Sequence, residues 1–204
     1  DVPWPHRIPQ NPYDPEKKVC VIDETGHIIY VFSNDGEDLL MTLGEKNVEG
    51  NDETHYSLPQ DIVFLPDGKF LVGDGLGNNH RIVVRNADGS YHSEFGEAGT
   101  EPHQFTSVHS MAFGPNEMLY ALDRDNKDVK VYQQTAARDS SDYPIFEYQT
   151  TWGGLGLPLD VYVSEESAWV TDLQPPKVVQ FNFDGSREYT WPLPTEGADF
   201  WIEM

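Results

Sequence analysis

Two histidines stand at matching places in a repeated pattern. His6 lies in Trp4-Pro5-His6-Arg7-Ile8 and His109 in Phe105-Thr106-Ser107-Val108-His109. Gln60 and Leu159 hold the corresponding places in two further repeats. Neutral imidazole is a good zinc ligand, so two imidazoles facing one channel would make part of a metal site. A catalytic zinc usually takes three protein ligands plus water, so the pair alone is short of a full set. The plainer role is that both rings hydrogen-bond strand ends. Arg124, in Leu122-Asp123-Arg124-Asp125, would offer a planar fork to a carboxylate at the channel rim. Its plainer role is a salt bridge to Asp123 or Asp125.

Other motifs carry less chemistry. Asp23, Asp74, Asp123 and Asp172 recur in every repeat whatever its histidine-position residue. That regularity points to a structural acceptor that ties backbone amides of the next turn. The stretch Gly73-Asp74-Gly75-Leu76-Gly77-Asn78 lacks the Lys-Ser/Thr ending of a phosphate loop, and no helix follows it. The run from Asp123 to Asp128 lacks the glycine and the final acid of a calcium-binding loop. Cys20, between Val19 and Val21, is the one cysteine, so no internal disulfide forms, and its setting predicts a buried position.

The elements that position these residues are short strands. Residues 58–96 contain four of them, with turns at Asp67-Gly68 and Asp88-Gly89, the sequence form of an antiparallel meander. The repeated aspartates recur at a period of about 50 residues, and Asp35-Gly36, Asp88-Gly89 and Asp184-Gly185 recur with them. Four strands per repeat at that period predict an all-β β-propeller with blades at roughly 5–57, 58–107, 108–157 and 158–204. In a propeller the segments that open the innermost strands meet at one end of the central channel. His6, Gln60, His109 and Leu159 should therefore point at that mouth. Residues 135–143 replace a tight turn and are expected as an exposed loop. Residues 200–204 read as the run-up to a fifth repeat. An open arc of four blades exposes strand edges, so we expect part of a six-bladed ring, incomplete at its C-terminal end, or an assembly that covers the open ends.

Composition narrows the function. The chain has 204 residues, 38% hydrophobic and 12% aromatic, enough for a folded core. Its 35 acidic against 13 basic residues give a net charge of −22, which argues against nucleic acid, whose phosphates need a basic face. No apolar run approaches the roughly 18 residues of a membrane helix. The start at Asp1, without Met, is consistent with a removed leader and a secreted or periplasmic setting.

Residues 59–75, Pro-Gln-Asp-Ile-Val-Phe-Leu-Pro-Asp-Gly-Lys-Phe-Leu-Val-Gly-Asp-Gly, followed by Asn79-His80-Arg81-Ile82, resemble an NHL repeat. The order Pro5-His6, Gly73-Asp74-Gly75, Val108-His109-Ser110 and Asp123-Arg124-Asp125-Asn126 resembles the peptidyl-α-hydroxyglycine α-amidating lyase family. The resemblance implies a six-bladed propeller with zinc held by three histidines, two of them matching His6 and His109. The third would lie in a fifth blade, beginning just after Met204. It also implies that Arg124 recognises substrate, and that a calcium ion low in the channel takes the backbone carbonyl of Ile8. The chain departs from the family where its proposed base, a tyrosine, follows Asp-Gly. Here Leu76 follows Asp74-Gly75 and cannot transfer a proton, and Gly77 marks the absence of the paired cysteines. His80 is the nearest alternative base.

Two functions follow. One is a carbon–nitrogen lyase that cleaves C-terminal α-hydroxyglycine peptides to amide plus glyoxylate with zinc. The other is a non-catalytic propeller that binds a peptide or protein partner or serves as a scaffold subunit in an assembly.

Overall fold

The structure, a computed structural model, describes residues 2, 4–138 and 144–194. Its regular elements are all strands. The first sheet holds β1 (Pro5–Arg7), β2 (Val19–Asp23), β3 (Ile28–Phe32) and β4 (Leu39–Leu43). The second holds β5 (Asp61–Phe64), β6 (Phe70–Asp74), β7 (Arg81–Arg85) and β8 (Tyr91–Phe95). A short parallel pair, β9 (Glu97–Ala98) and β10 (Gln104–Phe105), leads into the third sheet. That sheet holds β11 (Val108–Phe113), β12 (Met118–Asp123), β13 (Asp128–Arg138) and β14 (Pro144–Trp152). The fourth holds β15 (Pro158–Val163), β16 (Ala168–Leu173), β17 (Pro176–Phe181) and β18 (Arg187–Pro192).

Each four-stranded sheet is an antiparallel meander in chain order, which is a propeller blade. The Asp-Gly turns set this order, because Gly36, Gly68, Gly89 and Gly185 take φ between 76° and 91°. A residue with a Cβ is disfavoured there.

The packing is sequential. One apolar cluster joins the first two blades through Ile22, Ile29, Tyr56, Val72 and Val83. A second joins the second and third through Leu71, Ile82, Phe105, Val108 and Leu119. A third joins the third and fourth through Tyr120, Leu122, Val170, Val179 and Phe181. Each fully buried Leu, Ile or Phe contributes about 1.5–3 kcal/mol of transfer free energy. No cluster of this kind joins the fourth blade to the first among the described residues.

Of the loop expected at 135–143, residues 135–138 are strand, and 139–143 lie outside the described residues. β13 continues to Arg138, with Gln134 opposite Phe146 and Arg138 opposite Pro144. The outer end of the hairpin is anchored because the Phe146 ring stacks on Phe95 at 5.7 Å. The segment 200–204 lies outside the described residues.

Candidate functional site

The innermost strands open with a common irregularity. The register shifts between Pro5 and Arg7, between Val108 and Ser110, and between Pro158 and Asp160. The residues at those bulges are His6, His109 and Leu159. A bulge re-aims a side chain, and these bulges turn their residues out of the regular ladder. In the second blade Gln60 precedes β5 and donates its amide to the Gly73 carbonyl at 2.8 Å.

The two histidines come together. Their ring centroids are 5.3 Å apart and the rings meet edge to face, at 81°. Each ring is also fastened to another blade. His6 Nδ1 lies 3.0 Å from the Gln60 carbonyl, and His109 Nδ1 lies 2.7 Å from the Leu159 carbonyl. A carbonyl oxygen only accepts, so Nδ1 carries the proton in both rings. In the neutral tautomer Nε2 then keeps its lone pair. A ring held through Nδ1–H on a carbonyl is the arrangement that orients metal-ligating imidazoles. Both roles read from the sequence are thus compatible in one ring: Nδ1 ties a strand end and Nε2 keeps its lone pair. Burial pushes the His109 pKa down to about 4, with the nearby charge of Arg124 adding to the effect, so this ring is neutral at pH 7. Glu24 Oε2 is 3.8 Å from His6 Nε2.

Local packing explains why His109 sits where it does. A Cβ added to Gly75 would lie 2.5 Å from the Val108 amide nitrogen, and one on Gly73 would lie 3.1 Å from Val108 Cγ1. The Gly-Asp-Gly sequence therefore lets the second blade press directly on the residue before His109. Leu76 follows in a loop and is half-buried. His80 donates from Nδ1 to the Thr106 carbonyl at 2.9 Å.

Arg124 stands at the end of β12, and its Nε and Nη2 meet the two carboxylate oxygens of Asp125 at 3.0 and 3.4 Å. Its side chain is a quarter exposed. The repeated aspartates are fully buried and bind backbone. Asp74 accepts the Ser57 amide, Asp123 those of Ser107 and Thr106, and Asp172 those of Leu157 and Gly156. These amides belong to the segment entering the same blade. Asp23 accepts the Gly26 amide at 3.1 Å. Three of the four also pair with a cation on the next strand: Arg81, Lys130 and Lys177.

The residues that follow each mouth position form a second layer that sequence reasoning missed. These are Arg7, Asp61, Ser110 and Asp160, one place after His6, Gln60, His109 and Leu159. Arg7 Nη1 meets Asp61 Oδ2 at 2.7 Å and Ser110 Oγ at 3.1 Å, and Nη2 meets Asp160. The repeat phase that picked out the histidines would have found this layer too. It also pairs Glu24, after Asp23, with Arg124, after Asp123.

Zinc, as the resemblance implies it, fits in part. His6 and His109 supply two pinned imidazoles, and among the described residues no group of three His, Cys, Asp or Glu is placed to hold a metal. Calcium fits poorly. The two carboxylates of the lower layer are already engaged by Arg7.

A four-stranded meander repeated four times in chain order, with an apolar core between successive repeats, is the architecture of the β-propeller class. The chain has a β-propeller fold and resembles the peptidyl-α-hydroxyglycine α-amidating lyase family. No protein-family model matches it. It is 29% identical over 115 residues to a probable peptidyl-α-hydroxyglycine α-amidating lyase of Caenorhabditis elegans, a match covering 55% of this chain and 33% of that protein. It is 31% identical over 103 residues to the peptidylglycine α-amidating monooxygenase of Rattus norvegicus, covering 48% of this chain and 10% of that protein. The chain thus spans a third or less of the curated relatives it matches. Among solved structures, a streptogramin B lyase superposes with a TM-score of 0.65 at 15% identity, over 96% of this chain and 58% of that one. A chain of a nidogen/laminin complex superposes with a TM-score of 0.64 at 16% identity, over 86% and 59%. At these identities the structures establish the fold.

Proposed function

We propose that the chain is an amidating-lyase-type propeller that acts on peptides ending in α-hydroxyglycine, giving a peptide amide and glyoxylate. The observation that carries this reading is the histidine pair, 5.3 Å apart with both Nδ1 protons committed to backbone carbonyls. His6 and His109 would hold a zinc ion through Nε2. Zinc, when bound, polarises a hydroxyl oxygen and eases the loss of its proton. The chain's own residues supply the remaining functions. Arg124 takes the substrate carboxylate by exchanging its partner Asp125, which lies at the surface and is released at little cost. In the overall reaction the hydroxyl loses its proton, its oxygen becomes the aldehyde oxygen of glyoxylate, and the carbon–nitrogen bond breaks. The nitrogen takes up a proton as amide, so no oxidant is needed. Leu76 leaves the family's tyrosine position without a proton carrier, and His80 is tied to Thr106, so turnover is expected to be slow. A secreted or periplasmic setting belongs to the same reading.

The test is to load the full chain with zinc, add an α-hydroxyglycine-terminated peptide and measure glyoxylate. Release that His6→Ala and His109→Ala both remove supports the reading. No glyoxylate above the peptide-only control, with zinc bound, overturns it.

A second reading, a binding or scaffold propeller, rests on an aromatic face of the fourth blade. Trp169 stacks on Trp191 at 5.1 Å, while Tyr162 and Tyr189 are more than half exposed. Asp160, Tyr162, Trp169, Thr171 and Val178 line a cavity of about 410 Å³ there. A like fold occurs in a chain of the nidogen/laminin complex. This reading expects a stable multi-chain particle with the tryptophans shielded. A monomer by light scattering, with freely quenched tryptophan fluorescence, counts against it.

A further inference from the structure

The lower layer of the channel gathers charge from separate blades. Asp61 opens β5 in the second blade, Asp160 lies in β15 of the fourth, Ser110 lies in β11 between them, and Arg7 comes from β1 of the first. Asp61 is almost wholly buried, with 3% of its side chain exposed, and Asp160 is about four-fifths buried. Asp61 is fixed by the amides of Ile62 at 2.8 Å and Met111 at 2.7 Å. Ser110 Oγ donates to Asp160 Oδ1 at 2.5 Å and accepts from the Val161 amide at 3.3 Å. These bonds hold two carboxylates toward one space with no freedom to turn away.

The Arg7 guanidinium fills that space. It meets Asp61 and Ser110 through Nη1 and Asp160 through Nη2. A forked, permanently charged group satisfies two acceptors at once, which a compact cation does by direct coordination. Oxygen donors of this kind, two carboxylates and a hydroxyl, are also what calcium would take. The two arrangements exclude each other, because both need the same oxygens.

We propose that Arg7 is the resident cation of this layer, so that the chain closes its channel at this depth with a guanidinium in place of a divalent metal. It links the first blade to the fourth, between which the described residues form no apolar cluster. The inference is independent of zinc and of lyase chemistry.

The test compares four forms of the full chain: the native chain, Arg7→Lys, Arg7→Met, and Arg7→Met combined with Asp61→Asn and Asp160→Asn. Each is stripped with EGTA, then studied with and without millimolar calcium by thermal unfolding and by elemental analysis. The native chain should retain no calcium, and calcium should shift its midpoint by less than about 1 °C. Arg7→Met should unfold well below the native chain, with Arg7→Lys between them. The triple variant should recover much of the loss, because the carboxylates left unpaired are then neutral. If Arg7→Met does not fold, recovery of folding in the triple variant carries the same conclusion. A native chain that binds one calcium, with Asp61→Asn and Asp160→Asn each weakening it, overturns the proposal. So does a triple variant no more stable than Arg7→Met.

Discussion

Several buried charges in this chain are paired, and the pairs differ in what they do. Lys130 has 1% of its side chain exposed and bonds both Asp123 at 3.3 Å and Asp128 at 3.0 Å. Removing one partner of such a pair leaves an uncompensated buried charge. Lys130→Ala should therefore lower the unfolding free energy by about 3–5 kcal/mol, read from urea denaturation. Asp172 shows the acid dependence. Burial alone would raise its pKa, but the amides of Leu157, Gly156 and Gln174 together with Lys177 outweigh it, and the carboxyl ends below its ordinary value. A carboxyl lowered on folding stabilises the fold above its unfolded pKa, near 3.9, and loses that contribution as pH falls below it. The melting temperature of the native chain should thus exceed that of Asp172→Asn by a constant margin at pH 5–7. The margin should shrink below about pH 4. Cys20 is the inert counterpart: burial pushes its thiol up to about 12, so it stays unreactive in the folded chain.

At the scale of elements, the candidate site depends on how closely the second blade approaches the third. Gly75 lies against the Val108 backbone, and Val108 opens the bulge that aims His109. Gly75→Ala should push the two blades apart at this point, costing about 1–3 kcal/mol of stability. It should also weaken zinc retention more than a distant substitution of equal cost. Isothermal titration with zinc, alongside denaturation of both variants, separates the two effects. The turn glycines and the aspartates at or next to the ends of β2, β6, β12 and β16 were legible from the sequence. The bulges were not, since a one-residue slip in register leaves no mark on composition. Nor was the extension of β13 to Arg138, which depends on Phe146 finding Phe95 in the neighbouring blade.

The whole molecule is an ordered series of blades with its cores between neighbours, so stability should grade from the middle outward. The residues of β18 are all exposed, whereas those of β6 are all buried. Amide hydrogen exchange should therefore be fast in β18 and slowest in β6 and β12, which sit between flanking blades. Uniform protection across all four blades would mean that the aromatic face of the last blade is covered in solution. Tryptophan quenching at Trp169 and Trp191 reads the same face independently.

Chain periodicity alone determined the blade, its four strands and the equivalence of His6 with His109, because a repeat of about 50 residues with Asp-Gly turns has few other solutions. It also named Arg124 and the four aspartates, whose phase is visible without coordinates. Tertiary structure decided which equivalent residues meet. It set the imidazoles edge to face, gave Nδ1 to the backbone, turned Arg124 to Asp125 and drew Arg7 across the channel to Asp61 and Asp160. The reason is physical: spacing along a chain fixes a residue's place within its blade, whereas contacts across a channel depend on how the blades lean on one another.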